Sequence, residues 1–199
     1  MNILINFIIF IIVLFLYLHI TFQLKVNNDL EILEINEPTK EQLEEICDLR
    51  QPILFNFNNK IIDTINFEKI SNEYSAFDIK IRNKDEQEDS GLYLPLSFKE
   101  AVILLDNDKN KKYISENNKD FLEETSLIKI FNNNDLFLRP PFVSNCFYDL
   151  LLGYPNSYSN FKYDIYFRNY FLVTEGKVII RLTPPINEKY LNLIKNYEI

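Results

Sequence analysis

The run ILINFIIFIIVLFLYLHITFQL, Ile3 to Leu24, constrains this chain of 199 residues more than any other stretch. It has no formal charge, and its polar members are Asn6, His19, Thr21 and Gln23. An apolar run of about 20 residues is long enough to cross a bilayer as a helix. A helix that is apolar all round has no face to offer water, which disfavours a soluble core helix as the alternative. A cleaved signal peptide is the rival reading. It calls for a basic leader and a small-residue cleavage site, and neither pattern is present. Residues 1–25 are therefore read as an uncleaved, single-pass signal anchor bounded by Ile3 and Leu24, with Tyr17 and Lys25 as interfacial anchors. Lys25 is the only basic residue near the span, and it weakly favours a cytosolic placement of residues 26–199. His19 is the sole histidine of the chain. It is read as an interfacial residue, the alternative being a functional intramembrane group.

Every charged side chain lies at or after Lys25, so the net charge of −8 belongs to the part of the chain beyond the span. An acidic domain argues against a nucleic-acid partner, because phosphate binding needs clustered Lys and Arg. It also argues against a polybasic grip on anionic lipid. With 47% hydrophobic and 25% charged residues in the chain, this part is expected to fold as one globular domain, residues 26–199. Heavy use of Asn, Ile, Lys, Phe and Tyr points to an AT-rich genome, so Asn runs such as 132–134 read as neutral filler. The two cysteines, Cys47 and Cys146, make no metal-binding spacing. They read as two buried thiols or as one long-range disulfide. No N-x-[ST] sequon occurs, which leans toward a cytosolic domain.

Local signals place elements along the chain. Glu31 to Ile35 alternates like a strand. Thr39 and Gln42 form a capping box that opens a helix with Leu43, Ile46, Cys47 and Leu49 on its buried face. Pro52 ends that region, and ILFNF comes next as a strand. A short helix begins at Asn66, and AFDIKIR is an alternating strand. Asn83 to Gly91 is a charged loop that lacks calcium-loop spacing. Ser97 and Glu100 open a second capped helix in SFKEAVILLDND. KKYISE reads as a strand and NNKDFLEET as a helix. From Asp135 the pattern turns to β, with strands expected at 161–167, 170–174 and 178–182. Glu175, Gly176 and Lys177 supply a hairpin turn, and a helix is expected after Pro184 and Pro185.

The order of these elements, and the segment from Gly153 to Pro185, resemble the JmjC/cupin-like family, in particular the 2-oxoglutarate-dependent Fe(II) oxygenases of the asparaginyl-hydroxylase type. The carrying features are RQPILFNF after a helix, Gly153 before a Ser-containing turn, the Tyr-Asp pair Tyr163–Asp164, Asn169 among aromatics, and GKVIIRLTPP. The resemblance implies an α+β chain with a mainly β core. That core would be an incomplete double-stranded β-helix of cupin/jelly-roll type, preceded by helices and the N-terminal transmembrane helix.

The departures from that family shape the functional expectation. Where the family's first metal motif is His-x-Asp, alignment on Asp164 puts Lys162 at the His position. Alignment from Asn169 puts Tyr163 there and Ile165 at the Asp position. A facial triad needs two neutral imidazoles and a carboxylate. Lys162, Tyr163, Asp164 and Asn169 are thus a degenerate pocket, with Lys162 and Asp164 expected to pair with each other. The cosubstrate lysine position holds Val178, with Lys177 beside it on the opposite face. The family also continues beyond the double proline, so the sequence reads as a fragment, a chain completed by another, or a divergent half-barrel. The expectation is a pseudoenzyme-like binding or scaffold module with no cofactor, with the membrane and a protein as candidate partners. The alternative is an Fe(II)/2-oxoglutarate hydroxylase whose site is completed beyond Ile199.

Overall fold

A computed structural model describes residues 2–57, 65–85, 92–132, 134–164 and 166–191. It is a mixed α+β structure with two small sheets and one long apolar N-terminal helix. The chain divides into two compact units. Among the described residues, one joins those up to Phe57 with 180–191; the other is built from the residues between them.

The first unit begins with α1, Asn2–Gln23. Its window Ile3–Phe22 is long and apolar enough to cross a membrane, and none of it is buried. A signal sequence would pass the same test. Helix α1 leads to β1 (Leu33–Asn36), α2 (Lys40–Cys47) and β2 (Ile53–Asn56). The strands pair in parallel, Leu33 opposite Ile53 through Asn36 opposite Asn56. Parallel neighbours need a crossover, and α2 supplies it. The capping box forms as expected. Thr39 Oγ1 accepts the Gln42 N–H at 3.3 Å, and Gln42 Oε1 accepts the Thr39 N–H at 2.9 Å. Leu43 is the buried anchor of α2, Ile46 and Cys47 are half-buried, and Leu49 is exposed.

The second unit contains α3 (Phe67–Glu73), β3 (Asp78–Asn83), β4 (Leu94–Ser97), α4 (Phe98–Asn107), β5 (Tyr113–Ser115), α5 (Lys119–Glu124), α6 (Ile128–Asn132) and α7 (Asp135–Leu138). Strand β3 lies between β4 and β5, antiparallel to both. Pro95 sits on β4, where an edge strand tolerates a missing N–H. The second capping box, Ser97 with Glu100, starts α4. The core gathers Ile79 and Ile81 from β3, Phe98, Ala101 and Leu105 from α4, and Phe121 and Leu122 from α5. The Phe98 and Phe121 rings stack at 5.9 Å.

Beyond Leu138 the expected β pattern is corrected. Residues 139–184 carry no strand among the described residues, and their one ladder contact is an isolated bridge between Ser115 and Leu152. Residues with high β-propensity form strands only when a neighbouring strand receives them. The chain only bends at Glu175 and Gly176, with Gly176 at φ +79°, and the expected hairpin does not form. Instead Glu175 Oε2 accepts the Phe67 N–H at 2.8 Å, satisfying a free donor in the first turn of α3. Pro185–Tyr190 is a short 3-10 helix. The remainder of the helix expected there lies outside the described residues, as do 86–91 of the charged loop.

Candidate functional site

Strand β3 reads DIKIRN, with Lys84 immediately after it. Alternation sends Ile79 and Ile81 into the core and Lys80 and Arg82 to the other face. Each of these two cations meets an acid from the segment that comes after β5. Lys80 Nζ lies 2.7 Å from Asp120 Oδ2, and this pair is largely exposed. The Lys80 ammonium holds the Asp120 carboxyl below its ordinary range through that hydrogen bond. Arg82 Nε lies 2.6 Å from Glu116 Oε1 in a nearly buried ion pair, out of line for a hydrogen bond. Lys84 is 7% exposed, its Nζ has no hydrogen-bond partner among the described residues, and it rests 3.2 Å over the Tyr158 ring.

The segment Glu116–Asn117–Asn118 is fixed from below. Asn117 has φ +63°, a conformation that Asn tolerates better than most residues. Asp149 accepts the Asn117 N–H at 3.0 Å and the Asn118 N–H at 2.6 Å. The Asn118 side chain, 1% exposed, accepts the Lys80 N–H at 2.7 Å. It donates to Ser115 Oγ at 2.8 Å and to the Leu150 carbonyl at 2.7 Å. This one amide therefore links β3, β5 and the segment at 149–152. Burial raises the Tyr93 phenol above its ordinary value, and the Glu116 carboxylate adds to the shift.

Of the residues singled out in the sequence, Lys162 alone joins this cluster. Its Nζ lies 3.8 Å from Glu116 Oε2, and its side chain is half-exposed. The expected Lys162–Asp164 pair does not form. Lys162 turns instead to the carboxylate already held by Arg82. Tyr163 is 83% exposed, and Asp164 and Asn169 are exposed as well, so the four residues do not line one pocket. Arg181 is exposed and forms no ion pair among the described residues. Three tyrosines of the segment 154–170 make contacts of their own. Tyr158 carries Lys84, Tyr166 leans on Phe147 at 5.7 Å, and the Tyr170 hydroxyl donates to the Leu138 carbonyl at 3.1 Å. His19 lies on α1, its ring stacked on Phe15.

A separate open cleft of about 480 Å³ lies beside α7, lined by Asp135, Arg139, Cys146, Phe147 and Tyr148 among others. Arg139 pairs with Asp135, and the Tyr148 hydroxyl reaches Asp135 Oδ1 at 3.4 Å. Burial pushes the Tyr148 phenol well above its ordinary value, with the Cys146 thiol and then Asp135 adding to it. Neither cysteine is in a disulfide. Cys47 is half-buried and Cys146 exposed, so the expectation of two buried thiols holds for neither in full.

Among the described residues no group of three or more His, Cys, Asp or Glu side chains could hold a metal ion. Around Glu116 the arrangement is cationic, with Arg82 and Lys162 on one carboxylate. No protein-family profile, curated protein or solved structure matches the chain.

The sequence reading missed Arg82, Lys84, Glu116, Asn118 and Asp149. One signal was available: DIKIRNK places a cation at every second position, which on a strand is one face. Nothing in the local sequence marks Asn118, because an Asn-Asn pair reads as loop.

Proposed function

We propose that this chain is a membrane-anchored binding or scaffold module that keeps the outline of a cupin/JmjC-like domain and works without an iron site. In this reading α1 crosses the membrane and the remainder faces the cytosol. The segment Gly153–Pro185 is then the counterpart in sequence of the family's double-stranded β-helix, without its strands. The observation that carries the reading is the position of Lys162. Where the family's first metal motif would present an imidazole, an ammonium sits against Glu116 at 3.8 Å. A protonated lysine cannot donate a lone pair to iron, and its charge opposes a cation. The histidine that the chain does possess is on α1.

The test is calorimetric titration of the full chain in detergent with Co(II) or Mn(II), with and without 2-oxoglutarate. The reading expects no stoichiometric binding of either. Metal-dependent uptake of 2-oxoglutarate that disappears in Asp164→Ala would overturn it in favour of an oxygenase.

A further inference from the structure

The exit from α1 is not a free linker. Lys25 Nζ donates to the Asp48 carbonyl at 2.6 Å, and Asn27 Nδ2 donates to the Leu49 carbonyl at 2.9 Å. Both acceptors lie just past the end of α2, where a helix leaves carbonyls without intrahelical partners. Arg50 is next, in the left-handed region at φ +58°, and its guanidinium lies 5.1 Å over the Phe22 ring, in the last turns of α1. Lys25 and Asn27 are thereby turned toward the end of α2. Asn27 Oδ1 and Asp29 Oδ1 are used within the segment as well, accepting the Asp29 and Glu31 N–H groups.

Four apolar side chains of the same stretch are left exposed. Leu24, Val26, Leu30 and Ile32 are between 59% and 76% exposed. The strap of residues 24–32 is tied to the end of α2 through Lys25 and Asn27, and its exposed apolar side chains form an apolar edge interrupted at Asn28, whose Oδ1 accepts the Ile186 N–H at 3.2 Å. The apolar edge begins at the last residue of the unburied run Ile3–Leu24 and is covalently continuous with it.

We infer that this strap lies in the boundary layer of the same bilayer that α1 crosses, its apolar edge among the lipid headgroups and first methylenes, so that β1–α2–β2 is docked on the membrane surface. Lipid is the occupant because the strap emerges from α1 and is clamped at Lys25 and Asn27, within its first turn's length of the helix end. Residues 26–57 are rich in Asp and Glu, so the contact is apolar and does not depend on anionic lipid. The inference rests on α1 spanning the membrane.

The chain has no tryptophan, so each substitution to Trp gives a single clean depth probe. The experiment uses the full chain in phosphatidylcholine vesicles as Leu30→Trp, Val26→Trp and, in α1, Phe10→Trp. Bromine-labelled lipids at shallow and deep acyl positions and aqueous iodide serve as quenchers, with N-acetyltryptophanamide as the aqueous reference. The expected result is shallow-bromine quenching of Leu30→Trp and Val26→Trp, strong protection of both from iodide, and deep-bromine quenching of Phe10→Trp. If Phe10→Trp is quenched deep while the strap probes behave like the aqueous reference, the strap lies in water and the inference fails while the anchor stands. Iodide protection of the strap without bromine quenching means that protein covers it, which also overturns the inference. If Phe10→Trp escapes deep quenching, the anchor itself fails and the inference with it.

Discussion

Asn118→Ala is expected to be among the most destabilising single changes in the second unit. The side chain is 1% exposed and makes three hydrogen bonds. Its removal leaves the Lys80 N–H and the Leu150 carbonyl without partners in a part-buried setting, and it takes one donor from the buried Ser115 hydroxyl. A buried polar group left unsatisfied costs about 1–3 kcal/mol. Taking the low end for each group, and adding a small cavity, gives a loss of about 4 kcal/mol. Domains of ordinary stability have about 5–15 kcal/mol in total, so this is a large fraction. With a urea m-value of about 2 kcal/mol/M, the midpoint should fall by about 2 M. The assay is urea denaturation of the full chain in mild detergent, monitored by near-UV circular dichroism, which reports the packed aromatics of the core. Ser115→Ala is the paired control. It removes one of the three bonds and should cost about 1 kcal/mol. Equal, small losses in both variants would refute the reasoning, because they would mean that the amide is not the hub of the network.

Three further outcomes are expected from the same geometry. Glu116→Gln should destabilise by about 3 kcal/mol, because it strips a nearly buried Arg82 of its counter-charge, whereas Lys162→Met should cost under about 1 kcal/mol because Lys162 is half-exposed; thermal melts of the two variants check the contrast. The Tyr148 phenol is raised in the folded state, so its neutral form is the one that folding favours. That contribution is intact below the unfolded value of about pH 10 and changes as pH rises above it, where the unfolded chain sheds the proton first and stability falls; Tyr148→Phe should therefore flatten the alkaline fall in melting temperature. Gly176→Val should cost about 1–2 kcal/mol, because φ +79° is strained for any side chain even though the space around it is open; an unchanged urea midpoint would contradict this.

What was legible in the sequence was what is decided locally. Thr39 with Gln42, Ser97 with Glu100, and Asn66 each fix a helix start through bonds spanning three residues. The alternation in DIKIRN needed only its own Ile residues and a core to face. The part from residue 139 onward was decided elsewhere. Its aromatic and branched residues have the propensity for strands, but propensity is realised only by pairing, and the one bridge formed joins Leu152 to Ser115. The polar site escaped for the same reason. Arg82, Glu116, Asn118 and Asp149 come from three separate stretches, and only the fold brings them together. Lys162 was found, but its partner was misassigned, since a neighbour two residues away on an assumed strand was favoured over Glu116.

The central claim is that α1 stays with the protein as its membrane anchor. The direct measurement is N-terminal peptide mapping by mass spectrometry of the chain recovered from alkali-washed membranes. The expected result is the intact Ile3–Leu24 segment in the membrane pellet. A mature chain that begins after Leu24 and appears in the alkaline wash would contradict the claim, because α1 would then be a leader removed before the protein acts.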